Sequence, residues 1–178
     1  MTLTQHTLES ILQEIERTDE ARFAAANPGV FLVAMGVLTA EEIDARNAAL
    51  ERGTTLPLQL DEHPRHDLQR SHPLAGQVFR LLPGGEPVQV GRAASCVLCV
   101  PEDSVSEVHC QLSPSAGGLV VVDLESTNGT QVSGVRARAG EPELVSDGEL
   151  LTVGRYSFQC LTAATLHSTL SAIRVLGG

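Results

Sequence analysis

From residue 77 onward the chain breaks into short apolar runs, at 77–82, 87–90, 96–100, 108–113, 118–124, 130–132, 150–153 and 156–161. Each is bounded by Gly, Pro, Ser or Asp, and none is long enough to carry a helical stripe. Many short strands in close succession without intervening helices predict a β-sandwich or barrel. Nothing else in the sequence narrows the fold as much. A last stretch at 163–175 places Leu166, Leu170 and Ile173 at helical spacing and predicts a C-terminal helix.

The first 75 residues have a different periodicity. Leu8, Ile11, Leu12 and Ile15 form one helical stripe, which Asn27-Pro28-Gly29 ends. Residues 30–35 read as a short buried helix stopped by Gly36. Thr39-Ala40-Glu41-Glu42 fits a capping box opening a third helix that runs to about residue 52 and stops at Gly53. The polar stretch that follows, with Pro57, Pro64 and Pro73, reads as a linker. The expected organisation is thus a helical region at 1–55, a linker at 56–75, a sandwich at 76–162 and a helix or tail at 163–178. The apolar residues of the first region exceed what a solvated tail needs, so it is expected to pack on itself, on the sandwich or on a second copy, the last giving a homo-oligomer through these helices.

Composition removes several functions. Acidic residues outnumber basic ones by 22 to 12, a net charge of −10, which repels a phosphate backbone and argues against nucleic acid as a partner. Every basic residue is Arg, so no lysine nucleophile, Schiff base or P-loop is available. Aromatic residues are too scarce for base-stacking platforms. No apolar run reaches membrane-spanning length, and the N-terminus lacks the basic start and apolar stretch of a secretory signal. A cytoplasmic protein without a membrane partner is expected.

Candidate metal and redox groups are weak. His63, His66 and His72 cluster in the linker without a thiolate or rigid element to set geometry. Cys96 and Cys99 form a CxxC, but inside a run that reads as a buried strand rather than at a helix N-terminus, and Cys110 and Cys160 lie far apart in sequence. These cysteines are expected to be small core residues, and neither a metal nor a cofactor is expected.

Between residues 91 and 154 the loops carry a recurrent set of polar groups. They are Gly91-Arg92, then Ser106-Glu107-Val108-His109, then Asp123-Leu124-Glu125-Ser126-Thr127-Asn128-Gly129-Thr130, followed by Val132-Ser133-Gly134 and Asp147-Gly148. Asn128-Gly129 reads as a tight hairpin turn. A permanent cation beside hydroxyls and backbone N–H groups suits a phosphate dianion, and no general base accompanies them. Such a site would hold a phosphate without reacting with it.

The order and spacing of these motifs closely resemble the forkhead-associated (FHA) domain, over about residues 76–161. The resemblance implies a mainly β fold, an eleven-stranded β-sandwich binding phosphothreonine peptides at one end, here preceded by a small helical region and followed by a C-terminal helix. It also implies roles. Arg92 would pair with the phosphate and Ser106 hydrogen-bond it, Thr127 would line the phosphate and methyl pocket, and Asn128 would bond the peptide backbone. Gly91, His109 and Gly129 would support the loops, and Ser133 stands where the family usually has Asn. The function implied is that of a non-enzymatic signalling adaptor, with a Ser/Thr kinase or its substrate as the source of the phosphothreonine segment. Thr2, Thr4, Thr7 and Thr18 are in-chain candidates for the same role.

One position departs from the family. Glu107 stands where an Arg is usual. A carboxylate about 6 Å from phosphate would cost about 3 kcal/mol at an effective dielectric near 20, and less if exposed. Glu107 is expected either to swing away or to pair with Arg92, Arg136 or Arg138. The alternative function is a phosphate-independent interaction scaffold with a degenerate site.

Overall fold

The computed structural model of the chain describes residues 2–53 and 72–176. Twelve strands form two sheets among these residues. Ten come from the predicted sandwich: β3 (Gln77–Leu81), β4 (Val88–Gly91), β5 (Leu98–Cys99), β6 (Cys110–Ser115), β7 (Gly118–Asp123), β8 (Thr130–Val132), β9 (Val135–Arg136), β10 (Pro142–Ser146), β11 (Leu150–Val153) and β12 (Tyr156–Thr162). Two more, β1 (Leu3–Thr7) and β2 (Val30–Val37), come from the region expected to be helical. The seven-stranded sheet has the order β1-β3-β2-β12-β11-β8-β9 and the five-stranded sheet the order β10-β7-β6-β4-β5. All pairs are antiparallel except β4 with β5.

Between the sheets lies the main core. Val88 and Val90 of β4, Cys110 and Leu112 of β6, and Leu119 and Val121 of β7 face Leu32, Phe79, Leu81 and Phe158 of the other sheet. The alternation along β4, β6 and β7 is the period-2 pattern of a strand with one buried face.

The segment at 30–35 is a correction to the sequence reading: it forms β2, not a helix. Val30 and Leu32 enter the core between the sheets, while Phe31 and Val33 point the other way, into a second core. A strand buried on both faces has no polar alternation, so its apolar run carries no period that separates it from a buried helix. Gly36 does not stop a helix. It sits at a bulge, where Ser157 pairs with Gly36 and Phe158 with Ala34, and it takes a φ of +83°.

The second core is covered by helices α1 (Leu8–Ile15), α2 (Glu20–Ala26) and α4 (Ala163–Leu176), numbered in chain order with α3 (Ala40–Glu51) between them. Ile11, Phe23, Leu166 and Leu170 close on Phe31, Val33, Val78 and Leu161. Each such fully buried side chain contributes about 1.5–3 kcal/mol. Phe23 stacks on Phe31, and the Nε2 of His167 lies 3.0 Å from the carbonyl of Thr18, tying the two ends of the chain together. The apolar stripe of α1 and α2 is therefore covered within one chain. The expected single first helix is two, separated by Asp19, whose carboxylate caps α2 by accepting the N–H of Arg22. Thr7 caps α1 and Thr18 bonds the carbonyl of Glu14, so both hydroxyls serve local structure.

The capping box of α3 forms as predicted from Thr39 and Glu42. This helix rests on turns of the sandwich: Asn47 donates to the carbonyl of Ser133, and Leu50 lies over Gly148. Ser133 and Gly134 join β8 to β9 with φ values of +49° and +84°, a two-residue turn with both residues left-handed. Asn adopts this conformation more readily than Ser. Ser133→Asn is expected to stabilise the protein by about 0.5 kcal/mol, seen as a rise of about 1–2 °C in Tm. An unchanged or lowered Tm would count against that turn geometry.

Residues 56–71 of the expected linker, with His63 and His66, lie outside the described residues. At its end, Leu74 enters the core and the His72 ring rests on Tyr156 at 4.7 Å. No described helix is long and apolar enough to cross a membrane.

Candidate functional site

Three loops meet at one end of the sandwich: 92–97 between β4 and β5, 100–109 between β5 and β6, and 124–129 between β7 and β8. The third crosses from the five-stranded sheet to the seven-stranded one. Asn128-Gly129 therefore does not close a hairpin, contrary to the sequence expectation. Positive φ falls on Glu125 and Gly129, not on Asn128.

Backbone bonds zip the first two loops together. The N–H of Arg92 donates to the carbonyl of Ser106 at 2.8 Å, and that of Ala93 donates to the carbonyl of Glu107 at 3.1 Å. Gly91 permits this approach, because a Cβ there would sit 2.2 Å from the Glu107 carbonyl oxygen. Arg92 is exposed. Its Nε donates to the carbonyl of Val105 at 3.2 Å, which turns the guanidinium toward the Ser106 loop. Among the described residues no carboxylate lies within salt-bridge distance of it.

Ser106 and Thr127 come from different loops and meet directly. The Thr127 N–H donates to Ser106 Oγ at 3.1 Å, which leaves the Ser106 hydroxyl hydrogen to be donated elsewhere. Asn128 spans to the second loop through its Nδ2, which donates to the Ser104 carbonyl at 2.8 Å. Its Oδ1 is the half of the amide left for a ligand.

His109 sits beneath this surface with no solvent exposure. Its Nδ1 accepts the N–H of Ser106 at 3.0 Å, and its Nε2 lies 3.0 Å from the carbonyl of Gly129. A backbone N–H can only donate and a carbonyl only accept, so these partners select the neutral ring protonated at Nε2. Burial holds the imidazole pKa below its ordinary value, against the opposing pull of the Gly129 carbonyl and Asp123. The ring is a brace between two loops, with no lone pair free to act as a base.

Several supporting groups were not singled out from sequence. Asp123 is buried and accepts the N–H and hydroxyl of Ser126 and the hydroxyl of Thr130. Burial raises its pKa, but these bonds outweigh that and hold the carboxyl below the usual range. Ser126 Oγ in turn accepts the N–H of Gly129 at 3.0 Å. An Asp three residues before a Ser in a turn is a legible signal for such a bond. Glu102 accepts from Ser104 and pairs with Arg155 at 2.7 Å, which no spacing in the sequence announces.

Glu107 is exposed, and among the described residues none of its expected Arg partners lies within ion-pair distance. Arg138 pairs instead with Glu141, and the Arg136 guanidinium lies over Gly129. Of the expected outcomes, pairing with Arg92, Arg136 or Arg138 is not observed among the described residues. The strand at 96–100 shrinks to Leu98–Cys99. Cys96, Cys110 and Cys160 are buried, and burial raises all three thiol pKa values, that of Cys160 to about 12. Such thiols are not nucleophilic.

Residues 88–154 match the FHA domain family. The chain is 34% identical over 105 residues to the FHA domain-containing protein FhaB of Mycolicibacterium smegmatis, covering 58% of this chain and 65% of that one. It is 38% identical over 79 residues to the ABC transporter ATP-binding/permease protein Rv1747 of Mycobacterium tuberculosis, covering 44% of this chain and 9% of that one. The chain thus spans less than two thirds of either relative. The solution structure of the FHA domain of an Arabidopsis thaliana hypothetical protein superposes with a TM-score of 0.50 at 19% identity, over 76% of this chain and 86% of that one, a likeness of fold.

Proposed function

This chain carries an FHA domain, and we propose that its loop end binds phosphothreonine segments of partner proteins, making it a non-enzymatic signalling adaptor. One observation carries the reading: the exposed Arg92 guanidinium is anchored through Nε on the carbonyl of Val105, the residue before Ser106, whose hydroxyl hydrogen is free to donate. A dianion there would receive a charge-assisted bond from Arg92 and a hydroxyl bond from Ser106, with Thr127 and the Asn128 amide flanking it. His109 is buried and committed at both nitrogens, so it offers no base to a bound phosphate. A Ser/Thr kinase, or a substrate of one, is the partner this chemistry fits. Calorimetry with a degenerate phosphothreonine peptide library and its unphosphorylated counterpart tests it. Equal affinity for the two would overturn the reading.

Glu107 favours a second reading, a phosphate-independent scaffold, because it brings negative charge to the same loop. Exposed to solvent, however, it acts across water, where a unit charge at about 6 Å costs only about 0.7 kcal/mol before screening. Glu107→Arg is therefore expected to tighten phosphopeptide binding about 3- to 10-fold, with the gain shrinking at high salt. No change in phosphopeptide affinity would favour the scaffold.

A further inference from the structure

Arg136 lies outside every motif that identifies the site, yet it reaches the site's far lip. It stands on β9, the edge strand of the seven-stranded sheet. Its side chain runs back past Gln131, its cross-strand partner, to Gly129. A Cβ built on Gly129 would lie 2.7 Å from the Arg136 Cζ and 2.8 Å from its Nε. The guanidinium therefore covers the Gly129 backbone, and the absence of a side chain at 129 makes room for it. Arg136 is exposed, and among the described residues no carboxylate is within salt-bridge distance, unlike Arg138 and Arg155, which pair with Glu141 and Glu102.

The loop end thus presents two unpaired cations with different anchors. Arg92 is fixed at Val105, on the Ser106 side, and Arg136 at Gly129, beyond Thr127 and Asn128. Thr127, Asn128 and Gly129 are consecutive, so a peptide laid across these loops with its phosphate between Arg92 and Ser106 would bring a nearby side chain under the Arg136 guanidinium.

We infer that Arg136 reads a carboxylate side chain of the ligand, so that the domain selects phosphothreonine segments with Asp or Glu close to the phosphothreonine. The inference rests on the phosphothreonine reading above and adds the partner's sequence chemistry. A planar fork held flat against a backbone suits bidentate capture of a carboxylate. Exposure limits the gain, and an acidic residue there should improve affinity roughly two- to fivefold over Ala.

The test uses the full chain and phosphothreonine peptides carrying Asp, Ala or Arg at each position from three before to three after the phosphothreonine, read by fluorescence anisotropy. The unaltered protein is expected to prefer Asp at one of the scanned positions, Arg136→Ala to lose that preference while still binding phosphothreonine, and Arg136→Glu to prefer Arg there. Arg136 is exposed on an edge strand, and matching melting curves would establish that both variants fold. If the unaltered protein binds phosphothreonine peptides without an acidic preference, or if Arg136→Glu leaves the preference unchanged, this inference alone fails. If it binds none of the phosphothreonine peptides, the reading of the site fails with it.

Discussion

Replacing Arg92 by Ala is expected to weaken phosphothreonine-peptide binding at least about 100-fold while leaving the melting temperature within a few degrees. Both halves follow from the same geometry. The guanidinium is exposed and makes one hydrogen bond, Nε to the Val105 carbonyl, so its loss leaves no buried charge or cavity and costs stability about 0.5–1.5 kcal/mol. The ligand loses its one fixed charge-assisted contact on the Ser106 side, worth about 3 kcal/mol when dianion and guanidinium are partly desolvated. Arg92→Lys separates charge from shape. A lysine restores the charge but cannot keep one nitrogen on Val105 while offering two more to the phosphate, so it should recover only part of the affinity. Peptide titration with parallel thermal melts decides it. An Arg92→Ala variant that binds within about threefold of the unaltered protein would show that the phosphate, if bound at all, sits elsewhere.

The elements that sequence exposed best are short runs with a turn residue close by on either side. Thr130–Val132 and Leu150–Val153 were bounded to the residue, and the capping box of Thr39 and Glu42 formed where its spacing placed it. β2 is a longer apolar run, covered by helices on one side and the second sheet on the other, and without polar alternation it carries no period that separates it from a buried helix. β9 and β10 went unseen because they are edge strands: Val135, Arg136, Glu143 and Leu144 are all exposed, so their pattern records no buried face. In the site, motif order brought Arg92, Ser106, Thr127 and Asn128 to one end of the fold. Their partners were less legible. Val105 anchors Arg92 and Ser104 anchors Asn128 through backbone carbonyls, and a carbonyl carries no sequence signature. The position of Arg136 depends on how β9 folds back along β8, a tertiary fact with no local signal.

His109 should be the most costly single side chain of the site to remove. His109→Ala leaves the Ser106 N–H without its acceptor and the Gly129 carbonyl with the Gly154 N–H alone, and it opens a cavity at a position of zero exposure. About 3 kcal/mol is expected, with phosphopeptide affinity falling as the 106 and 129 loops lose their common brace. His109→Gln can place its side-chain amide near the Nε2 position and keep the bond to Gly129, so it should recover about half. The ring also leaves a signature in pH. Its folded pKa is lowered, so below the unfolded value near 6.5 the unfolded chain takes up a proton that the native protein refuses. Stability is full above that pH and falls as acid is added, by up to about 1.4 kcal/mol per pH unit, until the native ring itself protonates. Asp123 faces the ring, and its own lowered pKa acts only in stronger acid, below the unfolded carboxylate value near 3.9. His6 and His72 are also lowered by burial and contribute in the same window as His109. The diagnostic quantity is therefore the difference between proteins. Urea unfolding at pH 7.5 and 5.5 should show a smaller acid loss in His109→Ala than in the unaltered chain. Equal losses, or a penalty at pH 7.5 below about 1 kcal/mol, would mean that the ring is not the neutral brace described.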